Sequence, residues 1–227
     1  MRGRLLTVEG LDGSGKATQA RLLCDFLREM EIRVRKVSFP DYEHSSSSLV
    51  KMYLNGEFGS KPEDVNAYAA SSFFAVDRYA SYRKYWKASL ENGEWVVADR
   101  YTTSNMIYQV TKLPLDEWDP FLDWVCDFEY GKLGLPQPDL TLYLDMPPAV
   151  SQKLLAGRYH GNESKKDIHE RDLPYMENCR LAALYVAKKM GWRMIHCATG
   201  QNPKAISEVQ REIRMAAETC LLQNTWV

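Results

Sequence analysis

The sequence predicts an α/β fold, a five-stranded parallel sheet flanked by helices on both faces. Three observations carry that prediction. Five short apolar runs are separated by segments of helical period, the alternation of parallel strands and crossover helices. A glycine-rich turn joins the first run to the first helical segment. No repeat or linker-like stretch divides the 227 residues, so one domain spanning 1–227 is expected.

The elements follow in chain order. Arg4–Glu9, RLLTVE, reads as a buried strand. The segment after the glycines is helical, because Ala20, Leu23, Phe26, Leu27 and Met30 recur at helical spacing. Val34–Phe39 is a second strand, ended by Pro40. Ser45–Ser48 is a polar loop or helix start, since apolar periodicity resumes at Leu49, Val50 and Tyr53. One long helix is expected from about Pro62 to Glu91. WVVAD (Trp95–Asp99), DLTLYLD (Asp139–Asp145) and WRMIHCA (Trp192–Ala198) supply strands three to five. The segment 157–172, GRYHGNESKKDIHERD, is charged and poor in large aliphatics, the composition of a mobile surface segment.

Composition narrows the function. Hydrophobic residues make up 45%, enough for a core, while 26% charged residues argue against a membrane protein. No run approaches the roughly 20 apolar residues of a membrane span. The net charge of -1 argues against a nucleic-acid polymer as partner. It leaves room for a small anion held by a local pocket of Arg and Lys. The five cysteines are odd in number and lack Cys-x-x-Cys spacing, so reduced thiols are expected rather than disulfides or zinc. Glu9 and Asp12 interrupt the first apolar run, which therefore does not read as a signal peptide. A cytoplasmic protein is expected.

The strongest motif follows the first strand. GLDGSGKA has the spacing G-x-x-x-x-G-K and leads into a helix. Gly10, Gly13 and Gly15 let the backbone wrap an anion, so the N–H groups of Leu11, Asp12, Ser14 and their neighbours can turn inward. The helix starting near Lys16 adds its positive end. Lys16 can reach the β- and γ-phosphates of a nucleotide. The next position normally carries a Ser or Thr hydroxyl for Mg²⁺, and here it is Ala17. Thr18 follows, but one helical residue turns the side chain by about 100°. The phosphate cradle is expected intact, and hydroxyl coordination of the metal is not.

A second set of residues lies downstream. The third strand ends in Asp99-Arg100-Tyr101, at the sheet edge where ligands of open α/β folds sit. An arginine there can clamp a phosphate, or form a plain surface ion pair. Phe74 and Arg78 are four apart and share a helix face. An aromatic plane beside a guanidinium can hold a base by stacking and edge hydrogen bonds. Phe74 taken alone is an ordinary core residue.

VEGLDGSGKATQ, SFPDY, FFAVDRY, VVADRYTTSN and GLPQPDLTLYLDMPP, in that order between Val8 and Pro148, together resemble the thymidylate kinase family. The resemblance implies a P-loop NTPase fold of the nucleoside monophosphate kinase form, with a mobile lid at about 157–172. It implies ATP as donor, dTMP as acceptor, Mg²⁺ as cofactor and a homodimer. Asp12 would lie near the sugar 3′-hydroxyl and the metal. Phe39, Pro40 and Tyr42 would form a wall of the acceptor site. Phe74 would stack on thymine, and Arg78 would bond its carbonyl edge. Arg100 would hold the acceptor phosphate, with Ser104, Asn105 and Tyr108 lining base and sugar. Asp99 would act on Mg²⁺ through water.

Two departures from the family stand out. Asp41 follows Pro40 where many relatives carry an arginine, which places more of the phosphate on Arg100. Gly13 and Ser14 stand where some relatives carry a P-loop arginine. The family's alternative is a lid cation, for which Arg158, Lys165, Lys166 and Arg171 are the candidates, or else a solvated cluster. Two other functions remain open at this point. One is a kinase of another pyrimidine deoxynucleotide or of a nucleoside. The other is a nucleotide-binding module with little turnover, favoured only by Ala17.

Overall fold

The computed structural model describes residues 2–159 and 173–222, with side chains described for all of these except 155–159 and 222. Five parallel strands form the sheet: β1 (Leu5–Gly10), β2 (Val34–Ser38), β3 (Trp95–Asp99), β4 (Leu140–Asp145) and β5 (Arg193–His196). Their order is β2-β3-β1-β4-β5, with Val8 opposite Asp99 and Gly10 opposite Leu144. Observed and expected strands agree to within a residue or two. Strand β1 is central and buried along its whole length, which explains its continuous apolar sequence. Thr7 and Glu9 are the exceptions, and Glu9 is a carboxylate with 0% exposure.

Helices cover both faces. Helix α1 (Lys16–Glu29) buries Ala20, Leu23 and Leu27 against Leu6, Val8, Val97 and Ile195 of the sheet. Three further helices are α2 (Ser48–Leu54), α3 (Ala67–Ser81) and α4 (Lys87–Glu91). Next come α5 (Thr102–Tyr108), α6 (Trp118–Val125), α7 (Pro148–Tyr159), α8 (Leu173–Lys189) and α9 (Ile206–Leu222). On the face opposite α1, Ile107 and Tyr108 of α5 pack with Tyr143, and with Tyr175 and Cys179 of α8. No helix among the described residues is long and apolar enough to cross a membrane.

The long helix expected over 62–91 is interrupted. Pro62–Asp64 forms a separate 3₁₀ turn. Asn66 then caps α3, its side-chain oxygen accepting from Ala69 N at 2.9 Å. A π turn at Tyr82–Trp86 separates α3 from α4. Both ends of that turn are core residues, Tyr82 and Trp86 packing edge to face at 4.7 Å. A short hairpin, β6 (Ala198–Thr199) with β7 (Asn202–Pro203), follows β5 and was not expected from the sequence. The backbone of 157–159 continues α7, while the rest of the expected lid, 160–172, lies outside the described residues.

Lys112 ties three segments together. Its Nζ donates to Tyr53 Oη at 3.0 Å and to Val65 O at 2.8 Å. Burial lowers its pKa to about 8, with Glu63 and Cys179 opposing. Between pH 8 and the ordinary value of 10.5 the folded state binds fewer protons than the unfolded chain. Stability carried by this group therefore rises with pH across that window. In urea melts at about pH 7.5 and 9.5, wild type should gain stability relative to Lys112→Met at the higher pH. A constant difference between the two proteins at both pH values contradicts the assignment.

Candidate active site

The loop from β1 to α1 is shaped by three glycines. A Cβ on Gly10 would lie 2.6 Å from Ser14 Oγ and 2.9 Å from Leu144 O, so only glycine fits. Gly13 and Gly15 have φ of 78° and 89°, the left-handed region glycine tolerates. Helix α1 starts at Lys16 with no side-chain cap and no acid in its first turn. Its first N–H groups and positive dipole end are left for an anion. Lys16 is 7% exposed; its Nζ donates to Leu11 O at 2.7 Å and lies 3.9 Å from Asp12 Oδ1. Burial and then Arg100 lower its pKa, against the pull of Asp12, Asp99 and Glu9.

One cavity of about 1010 Å³ runs along the carboxyl edge of the sheet. Residues 12–18 of the loop and α1 form its floor. Phe39, Pro40 and Tyr42 after β2, Phe74 and Arg78 on α3, and Ser104, Asn105 and Tyr108 on α5 line one end. Met146, Leu154, Cys197, Pro203, Ile206 and Val209 make the other, largely apolar end. Asp99 and Arg100 also line the cavity, where β3 ends. The structure thus gathers the expected residues 12–18 and all the expected acceptor-side residues into a single space. Gly10 and Leu11 lie behind the loop instead: Leu11 packs its side chain with Ile107 and Tyr143.

Arg100 turns back over the site through a left-handed backbone, φ 67°. Its Nη2 is paired with Asp12 Oδ1, and its Nη1 donates to Tyr108 Oη at 3.2 Å. Tyr108 Oη donates to Asp12 Oδ2 at 3.2 Å. Burial works against the charge of Arg100, but Asp12, Tyr108 and Glu9 outweigh it and hold the pKa well above the ordinary value. Beneath this group, Glu9 accepts from Gly10 N at 2.9 Å, Thr103 Oγ1 at 2.8 Å and Ser104 Oγ at 2.7 Å. Ser104 is therefore already engaged, with its proton directed at Glu9.

The polar groups near Phe74 are engaged too. Arg78 is 1% exposed and donates Nε and Nη2 to the two oxygens of Glu129, at 2.7 and 2.6 Å. Asn105 Nδ2 donates to Glu129 Oε1 at 2.7 Å and to Ser71 O at 3.1 Å. Asp77, between Phe74 and Arg78 in sequence, faces another way. It accepts from Asp41 N at 2.8 Å and Ser46 Oγ at 2.6 Å, and so anchors the loop that carries Tyr42.

Asp99 is 7% exposed, with Oδ2 4.0 Å from Lys36 Nζ. Among the described residues no cluster of three or more His, Cys, Asp or Glu side chains could hold a metal by itself. Lys165, Lys166 and Arg171 lie outside the described residues, as does the side chain of Arg158. Sequence reasoning missed Glu9, Thr103, Glu129 and the apolar end of the cavity. A carboxylate inside an otherwise apolar central strand was a signal for Glu9. Glu129 had none, because its partners are distant in sequence.

An uncapped helix behind a glycine loop, sharing one cavity with a guanidinium and an aromatic pocket, is the geometry of a P-loop nucleotide-binding protein. The thymidylate kinase family profile matches residues 8–213. A probable thymidylate kinase of Methanosarcina barkeri is 31% identical over 216 residues, covering 94% of this chain and 97% of that one. The thymidylate kinase of Mycobacterium tuberculosis is 30% identical over 195 residues, covering 83% and 87%. The solved structure of thymidylate kinase from Candida albicans shares the fold, with a TM-score of 0.67 at 22% identity over 96% of this chain and 92% of that one. The chain belongs to the thymidylate kinase family, and so is a nucleoside monophosphate kinase that transfers a phosphoryl group from ATP.

Proposed function

We propose that the acceptor is dTMP, so that the γ-phosphoryl of ATP passes to it and yields dTDP and ADP for dTTP synthesis. The observation that carries this reading is the single cavity joining the anion loop to Arg100 and to the Phe74–Arg78 pocket. The triphosphate lies over residues 13–18, with its base in the apolar end beside Met146, Cys197 and Ile206. Thymine stacks on Phe74 and turns its carbonyl edge to Arg78. Phe39, Pro40 and Tyr42 wall the acceptor, and Asn105 and Tyr108 line base and sugar. Arg100 exchanges Asp12 for the acceptor phosphate, freeing that carboxylate near the sugar 3′-hydroxyl. Lys16 leaves Leu11 O to follow charge on the transferred group. A lid cation, Lys166 or one of Arg158, Lys165 and Arg171, completes the site and helps exclude water.

The donor set fits Mg²⁺. Among the described residues, Asp12 and Asp99 are the acids that line the cavity, a pair that suits an ion keeping phosphate oxygens and waters as most of its ligands. When bound, the ion neutralises charge on the β- and γ-oxygens. Asp99 would hold its waters, since Ala17 offers no hydroxyl.

A coupled ADP-release assay with dTMP, dUMP, dCMP and thymidine, in Mg²⁺ and in EDTA, tests the reading. dTMP should be the best acceptor, and EDTA should stop turnover. Faster use of dUMP, dCMP or thymidine overturns the acceptor assignment, and full turnover in EDTA overturns the role of the metal. A homodimer is also inferred: Tyr68, Val76 and Tyr79 lie within one face of α3 at 39, 43 and 40% exposure, a stripe suited to a second copy. A monomer mass by sedimentation contradicts it. A cytoplasmic location fits the five unpaired thiols, and cell fractionation checks it.

A further inference from the structure

Glu129 is the most heavily engaged side chain of the acceptor end. It lies on the π turn Cys126–Lys132, is 1% exposed, and draws on two other elements. Oε1 accepts from Arg78 Nη2 at 2.6 Å and Asn105 Nδ2 at 2.7 Å. Oε2 accepts from Arg78 Nε at 2.7 Å and Thr102 Oγ1 at 3.0 Å. Four donors fill the roughly four lone-pair sites a carboxylate has. The two parallel bonds to Arg78 fix the plane of its guanidinium, as a point charge could not. Only Nη1 is left out of that pair, on a residue that lines the cavity beside Phe74.

We propose that Glu129 is the positioning residue that sets pyrimidine selectivity, by holding Arg78 so that one fixed N–H edge meets the base. The inference rests on the acceptor reading above. A guanidinium free to swing could turn away from a mismatched base. It would also attract acceptors anywhere on a base through its uncompensated charge. With Glu129 in place the pair is neutral and the donor edge cannot rotate. A carbonyl at that edge accepts a hydrogen bond. An amino group, as in cytosine, sets donor against donor in a buried place and leaves both unpaired.

The test compares the ratio of kcat/KM for dTMP to that for dCMP in wild type, Glu129→Gln, Glu129→Asp and Arg78→Ala, and in the double variant Glu129→Gln/Arg78→Ala. In Glu129→Gln the ratio should fall about tenfold or more, mostly through KM for dTMP, with KM for ATP unchanged. Arg78→Ala should give a similar ratio, and the double variant should lose little beyond either single one, since the two residues act as a unit. Glu129→Asp keeps the charge with a shorter reach and should lose part of the selectivity. It serves as the test if Glu129→Gln does not fold by thermal melt. A wild-type ratio in a folded variant at position 129, or equal losses for ATP and dTMP, overturns the proposal while leaving dTMP as acceptor. A wild-type protein that does not use dTMP overturns the acceptor reading, and this inference with it.

Discussion

Lys16→Ala is expected to lower kcat by roughly 100- to 1000-fold, the loss that follows removal of one preorganised donor to developing charge. The lysine is nearly buried, so its charge acts with little screening by water. In the free protein it rests on Leu11 O, with Asp12 close by. Neither contact holds the fold together, so the variant should fold. ATP should still bind, because the loop and the first turn of α1 keep their backbone N–H groups. Stopped-flow or coupled kinetics measure kcat, calorimetry measures ATP affinity, and circular dichroism checks the fold. A folded variant with near-normal kcat shows that residues 10–18 are not the phosphate site.

The second large effect is expected at Arg100. Arg100→Ala should reduce kcat/KM for dTMP by about 100-fold or more, because a misplaced acceptor loses proximity to the transferred group. Among the described residues that line the cavity, the other arginine, Arg78, is already paired with Glu129, and the residue after Pro40 is an acid, Asp41. The loss should fall on the acceptor, with ATP affinity little changed. Calorimetric titrations of ATP and dTMP separate the two. A variant that loses ATP binding but keeps dTMP binding assigns Arg100 to the donor side instead.

Most of the sheet was legible because parallel strands leave a local trace. β1, β3 and β4 are buried on both faces, so Leu5–Gly10, Trp95–Asp99 and Leu140–Asp145 read as mainly apolar runs with few polar interruptions. The glycine loop was legible for a related reason: its chemistry needs fixed spacing within one short stretch. The break in the long helix was not. Residues 67–91 keep helical period throughout, and the π turn at Tyr82–Trp86, whose end rings pack together in the core, leaves no mark in that period. Expected site residues that gather in the cavity came from segments with local signals, such as Asp99-Arg100 at a strand end. Their partners did not. Glu129 binds a guanidinium 51 residues away, and Glu9 binds hydroxyls more than 90 residues away. Such pairings belong to the tertiary structure, and no periodicity announces them. The hairpin at 198–203 was equally silent, two residues a side, with its first residue, Ala198, read as the end of the fifth strand.

The left-handed backbone at Arg100, φ 67°, separates stability from activity at one position. An L-residue other than glycine adopts that conformation at a cost of about 1–2 kcal/mol. Alanine and glycine at position 100 both remove the guanidinium, so both should be poor enzymes. They differ in the backbone, where glycine is relaxed and alanine is not. A library selected only for thermal robustness would rank glycine above alanine here, and turnover would give no hint of the difference. Thermostabilisation by folding screens alone would thus drift toward glycine at a position whose guanidinium is proposed to hold the acceptor.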